Sequence, residues 1–259
     1  MDEARVIGLV SGKGGVGKTS LCVNLGVSIS NFGYEVTLVD ADFSASNLGV
    51  YLGRYDHPVK IQDVLEGEDN IESAIFRHPT GVNAVTSSNE ITDIEPDLSR
   101  MDEIVSRAAQ DSDFVLVDFP PGLDTTVSSL MESCDELIVV TMPTQTAGIN
   151  AAQITEKAKL DRHALLGSII NKVEGEPDRE LITREVETMT ETHILSEVPY
   201  DHEMKEALFH HKPLIEYDPI SEAAMEIKAL AADMSGEEYS KPRFASIKRK
   251  LNKIRERIG

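Results

Sequence analysis

Residues 12–20 read Gly-Lys-Gly-Gly-Val-Gly-Lys-Thr-Ser, satisfying GxxxxGK[ST] from Gly12 to Thr19. Gly12, Gly14, Gly15 and Gly17 let the backbone turn through φ values closed to side chains and bring its N–H groups onto phosphate oxygens. Val16 and Ser20 belong to the same phosphate-contacting stretch. Lys18 is placed to bridge β- and γ-phosphates, and the Thr19 hydroxyl to ligate Mg²⁺. Three aspartates complete the set: Asp40 and Asp42 follow the apolar run Val36–Val39, and Asp118 follows Phe114–Val117. Carboxylates at the C-terminal ends of parallel strands lie beside such a loop. There they can hold a metal's water shell or take a proton from an attacking water. Together these groups can bind and hydrolyse a nucleoside triphosphate.

Only a strand–loop–helix frame brings such groups together. The apolar run Val6–Val10 enters the glycine loop, and a stretch of helical length, Thr19–Phe32, leaves it. Further β-branched runs at Val36–Val39, Val82–Val85, Phe114–Val117, Leu137–Val140, Leu165–Ile170 and His193–Val198 are each bounded by Gly, Asp, Pro or polar clusters. Helical stretches lie between most of them: Asp97–Asp111, Ala147–Leu160, Asp178–Glu191, Asp201–His211 and Pro219–Met234. The alternation predicts an α/β fold of P-loop NTPase type, a mostly parallel sheet with helices on both faces. The 259 residues are 41% hydrophobic and 5% aromatic, enough for such a core.

Other chemistries find little support. Cys22 and Cys134 form no CxxC pair and read as buried thiols. None of the seven histidines has metal-ligand spacing, and His210 with His211 reads as a helix end. No apolar run reaches the roughly 20 residues needed to cross a bilayer, and Met1 is followed by Asp2 and Glu3, not by a secretion signal. The expectation is a cytoplasmic protein.

The loop holds a second lysine, Lys13, that hydrolysis within one chain does not require. Lys13-Gly14-Gly15-Val16-Gly17-Lys18-Thr19 resembles KGGxGK[ST], the deviant Walker A loop of the MinD/ParA family of P-loop ATPases, and is closest to MinD. The likeness runs from about residue 4 to residue 234. It implies that Lys13 reaches across an ATP-bound homodimer to the partner's phosphates. It further implies that Asp40 and Asp42 belong to switch I, that Asp118 is the Walker B aspartate, and that Asp118-Phe119-Pro120-Pro121-Gly122 is switch II. On this reading Lys13, Lys18, Asp42 and Asp118 are catalytic, with Asp118 holding the Mg²⁺ water shell and Asp42 orienting or deprotonating the attacking water. Asp40 supports Lys18 or the loop. Gly122 lets switch II move, with its N–H near the γ-phosphate. Asn171, closing Ile169-Ile170-Asn171-Lys172, resembles the family's adenine-binding asparagine, and Pro199 and Tyr200 resemble the segment beside the adenine. ATP and Mg²⁺ are the implied cofactors.

Charge divides the chain. The formal total is −20, yet Lys241, Arg243, Lys248, Arg249, Lys250, Lys253, Arg255 and Arg257 face only Glu256 in the last 19 residues. Residues 241–259 therefore carry +7 and residues 1–240 carry −27. Phe244, Ile247, Leu251, Ile254 and Ile258 fall within an arc of about 80° on a helix, flanked by Lys248, Arg255 and Lys250. Such a helix can lie in a membrane interface, and MinD relatives end in a basic amphipathic membrane-targeting helix. A helix packed on the acidic body, or a coiled-coil arm, is the alternative. The expected organisation is an ATPase domain over 1–234, a linker over 235–243 and a membrane helix over 244–259.

The implied function is an ATPase that dimerises with ATP and attaches reversibly to the anionic inner face of the cell membrane. It would position division or other machinery together with an unidentified protein activator or cargo. Three alternatives remain open. An Mrp-type iron–sulfur carrier matches the double proline but lacks paired cysteines. A ParA-type DNA partitioner needs a basic patch, so nucleic acid is an unlikely partner for the acidic body. An ATP-dependent scaffold would hydrolyse negligibly.

Overall fold

The computed structural model describes residues 3–88, 97–176 and 178–242. The strands are β1 (Arg5–Val10), β2 (Val36–Asp40), β3 (Phe76–Arg77), β4 (Asn83–Val85), β5 (Phe114–Asp118), β6 (Glu136–Thr141), β7 (Ala164–Val173) and β8 (Ile194–Pro199). Helices α1 (Lys18–Asn31), α2 (Leu48–Tyr51), α3 (Ile61–Leu65), α4 (Ile71–Ala74), α5 (Met101–Ala109) and α6 (Thr125–Glu132) occupy the first half. They are followed by α7 (Gln145–Leu160), α8 (Thr183–Thr190), α9 (Glu203–Phe209), α10 (Leu214–Tyr217) and α11 (Glu222–Ser235).

Among the described residues the strands form one sheet in the order β3-β4-β2-β5-β1-β6-β7-β8. Every pairing is parallel except β3 with β4. Because side chains alternate across a strand, each β-branched run supplies both faces at once. Ile7, Leu9, Leu38, Leu116 and Ile138 pack with α1 and α11 on one side. Val6, Val10, Val39, Val117 and Val139 pack with α3, α5, α6 and α7 on the other.

The seven expected strands and six longer helices are all present. The two-residue β3, too short to show a period, is additional, as are α2, α3, α4, α6 and α10. α6 begins Thr-Thr-Val-Ser-Ser, residues of poor helix propensity, and forms behind the Asp124 cap, whose carboxylate accepts from Val127 N at 2.9 Å. Cys22 is buried as expected, whereas Cys134 is only partly so. α11 runs through Ser235, one residue past the expected boundary, and stops at Gly236 in the left-handed region. Beyond α11, Tyr34 Oη donates to Glu237 Oε1 at 3.2 Å and Lys241 pairs with Glu226. The membrane-helix positions Phe244, Ile247, Lys248, Leu251, Ile254, Arg255 and Ile258 lie outside the described residues. No helix among the described residues is long and apolar enough to cross a membrane.

Candidate functional site

β1 lies between β5 and β6, at the centre of the sheet, and its C-terminal end opens into the glycine loop. Gly17 takes φ 98° and serves as the N-cap of α1, and Gly15 takes φ 78°, values that favour glycine. At two positions space also demands it. A Cβ on Gly12 would stand 2.5 Å from Asn150 O, and one on Gly17 would stand 2.3 Å from Asn171 Nδ2.

The loop's carbonyls are tied down from outside. Asn171 Nδ2 donates to Val16 O at 2.8 Å, Lys172 Nζ to Gly15 O at 2.6 Å, Gly122 N to Ser11 O at 2.9 Å and Ser11 Oγ to Lys13 O at 3.0 Å. The amides of residues 13–19 donate no hydrogen bond to any described residue. Donors converging at a helix N-terminus with no internal acceptor suit an anion such as a nucleotide's phosphates.

The carboxylates stand beside this array because β2 and β5 end in register, Asp40 opposite Asp118, with Leu9 of β1 also opposite Asp118. Both residues are wholly buried. Neither oxygen of Asp118 has a well-formed hydrogen bond. Burial raises its pKa, and the nearby Thr19 hydroxyl and Lys18 ammonium oppose that rise. Asp40 is also raised, first by burial and then by the charge of Asp118. It is held by Ser46 Oγ at 2.6 Å, Asp42 N at 3.1 Å and Leu48 N at 3.3 Å. Lys18 is buried and its pKa is lowered by desolvation, with Asp118 and Asp42 opposing, yet no carboxylate of the described residues lies within 4 Å. An uncompensated acid beside a buried lysine and a hydroxyl matches the donor set of an octahedral divalent cation that keeps most of its waters.

The other expected residues fall around this centre. Asp42 Oδ1 accepts from Ser44 N at 3.2 Å, Ser44 Oγ at 2.8 Å and Ala45 N at 3.0 Å, which ties that oxygen to its own turn. Ser20 shares a short hydrogen bond with the Tyr51 hydroxyl of α2. Lys13 is exposed, and among the described residues its ammonium makes no ion pair. Gly122, at φ 113°, joins the segment after β5 to the loop. Asn171 is buried at the end of β7. Pro199 closes β8, and Tyr200 is 42% exposed with Lys205 Nζ 5.6 Å from its ring centroid. Sequence reasoning missed Lys172, Ser46 and Tyr51. Lys172 follows Asn171 directly, but its role depends on a left-handed φ of 60° that no local pattern announces.

A glycine loop at the central strand of a parallel sheet, with buried lysine and carboxylates at the neighbouring strand ends, defines a P-loop nucleotide-binding protein. Residues 7–214 match the CobQ/CobB/MinD/ParA nucleotide binding domain, and the chain belongs to that family. It is 30% identical over 231 residues, 88% of each chain, to an uncharacterized ATP-binding protein of Methanocaldococcus jannaschii. The cell division ATPase MinD of Pyrococcus furiosus superposes with a TM-score of 0.83 at 31% identity, covering 90% of this chain and 99% of that one. The septum site-determining protein MinD of Pyrococcus horikoshii, solved with Mg-ADP, gives a TM-score of 0.83 at 29% identity, covering 89% and 96%.

Proposed function

We propose that the chain is a MinD-type ATPase that binds Mg²⁺ and ATP, dimerises around the nucleotide, hydrolyses it, and uses residues 244–259 to attach reversibly to an anionic membrane. The observation that carries this reading is the meeting of three groups: loop amides with no internal acceptor, the buried Lys18, and the unpartnered carboxylate of Asp118.

Residues 12–20 bind the phosphates through backbone N–H groups, and Lys18 bridges the β- and γ-oxygens. Thr19 and Asp118 would hold Mg²⁺, which supplies charge neutralisation on the phosphates. Lys18 is already desolvated, so its attraction to phosphate is little screened. Asp42 orients the attacking water or takes its proton through Oδ2, since Oδ1 is held by the 44–45 turn. Lys13, exposed and without an ion pair of its own, suits a cation delivered to the partner's phosphates only in the dimer. Asn171 would meet the adenine once its amide gives up Val16 O, with Pro199 and Tyr200 alongside. Gly122 couples the segment after β5 to the phosphate loop, so loss of the γ-phosphate can be felt there.

One tail binds marginally, because each basic residue contributes about 1 kcal/mol at an anionic leaflet against the cost of ordering the segment. Two tails on one dimer act at millimolar effective concentration, which makes attachment depend on ATP. The test is co-sedimentation with anionic liposomes of the full chain and of a chain ending at residue 240, each with ATP and with ADP. Binding by the full chain in ATP alone is expected. Equal binding in ADP, or by the truncated chain, would refute the reading.

A further inference from the structure

We propose that the groove along the β8 edge of the sheet is a docking surface for this chain's own residues 244–259 in the unattached protein. β8 is the last strand of the sheet and pairs, among the described residues, only with β7. It forms the floor of an open groove of ≈ 740 Å³, with α8 and α11 as the walls. Leu195 of β8 and Met225 of α11 supply the apolar part of its lining. Its lining carries Glu187 of α8, Glu197 of β8 and Glu222, Glu226 and Asp233 of α11.

The occupant follows from where the described chain ends. Among the described residues the one cation in the lining is Lys241, whose ammonium lies 2.5 Å from Glu226 Oε1. The Lys241 side chain, three residues before Phe244, is therefore already in the groove. Phe244 follows three residues later, a reach of about 10 Å at most. From there the chain offers Lys248, Lys250, Lys253 and Arg255, whose charge complements a lining with five carboxylates. The side chains that would enter the groove are those that would enter a membrane, so the two sites exclude each other. That consequence rests on the membrane reading above, whereas the docking itself does not.

Zero-length carbodiimide coupling tests the docking on the full chain, without lipid or nucleotide, followed by mass mapping of the peptides. The expected products are intrachain amides joining Lys248, Lys250 or Lys253 to Glu187, Glu197 or Glu222. They should be lost in 1 M NaCl, where the Debye length falls to about 3 Å. The Lys241–Glu226 link is the internal control. Its formation without tail-to-groove links, or tail links only to other carboxylates or only between chains, overturns the proposal. In a second arm, the double variant Glu197→Gln/Glu222→Gln should raise ADP-state binding to phosphatidylglycerol vesicles about tenfold, the equivalent of 1.4 kcal/mol. Unchanged binding, where the parent chain binds in ATP, also counts against docking. A parent chain that never binds vesicles refutes the membrane reading instead, and the cross-links then decide the docking alone.

Discussion

Carboxylates do opposite things at the centre of the sheet and at its edge. Asp40 and Asp118 end central strands, are wholly buried, and have their ionisation opposed first by desolvation. Glu222, Glu226 and Asp233 ride on an outer helix, face water, and meet a lysine of their own chain or none. The same functional group is thus enclosed away from water in one place and set on the surface in the other. The difference comes from strand order: a parallel sheet buries its middle on both faces and leaves its last strand open along one side. A centre that lacks positive charge suits a small cation brought with a nucleotide. An edge with excess negative charge suits a basic segment.

The sharpest way to break this contrast is Lys13→Ala. If catalysis requires a cation from the partner, turnover should fall about 10³-fold or more while nucleotide binding to the monomer changes little. Steady-state ATPase assays beside calorimetric titration measure both, and a loss confined to affinity would place Lys13 in its own chain's site. Asp118→Asn comes next. At pH 8 it should stabilise the nucleotide-free protein by about 1–3 kcal/mol in urea unfolding, by removing a buried charge whose desolvation outweighs the help of Thr19 and Lys18. Stabilisation by Mg-ATP should disappear with it.

Gly17→Ala should cost about 2 kcal/mol or more, since a left-handed φ and a 2.3 Å approach to Asn171 Nδ2 act together. The unfolding midpoint reads this directly. The pH dependence is gentler. Asp40 and Asp118 have native pKa values above their unfolded ones, so the folded protein binds more protons than the unfolded chain. Their contribution to stability falls as pH rises from about 4 through neutrality. Binding of Mg-nucleotide should then release protons, seen as a dependence of calorimetric enthalpy on the buffer's ionisation heat. Smallest is Lys241→Ala, about 0.5 kcal/mol or less, because its pair with Glu226 is part exposed and screened.

The central region was legible because its signals are local. The 12–19 loop, the apolar runs on either side of it and the aspartates at strand ends each occupy a few consecutive residues, and the structure brings them together at one end of the sheet. What stayed hidden depends on tertiary contact. Lys172 reaches Gly15 O across more than 150 residues of sequence, and Ser46 reaches Asp40 from a turn with no periodicity. β3 is too short to show alternation, and α6 runs against its propensities behind a cap. The edge groove had no signature either: its acids come from three separate elements and read along the chain as ordinary solvated charge.

The hydrogen bond from Arg5 Nη1 to Met234 O, 2.9 Å, fixes the end of α11 to the start of β1. The exit point of the tail is therefore rigid with respect to the sheet, and the path from Lys241 to Phe244 is a leash of about 10 Å. On the membrane reading proposed above, whatever takes up both tails of a dimer must approach within that leash of the two Lys241–Glu226 pairs at once. A two-fold axis standing upright on the membrane puts both exits on one side at equal height, whereas an axis lying in the membrane plane leaves one of them facing away. In that proposed arrangement the orientation of the dimer on its surface is restricted by where α11 and Lys241 hold the chain.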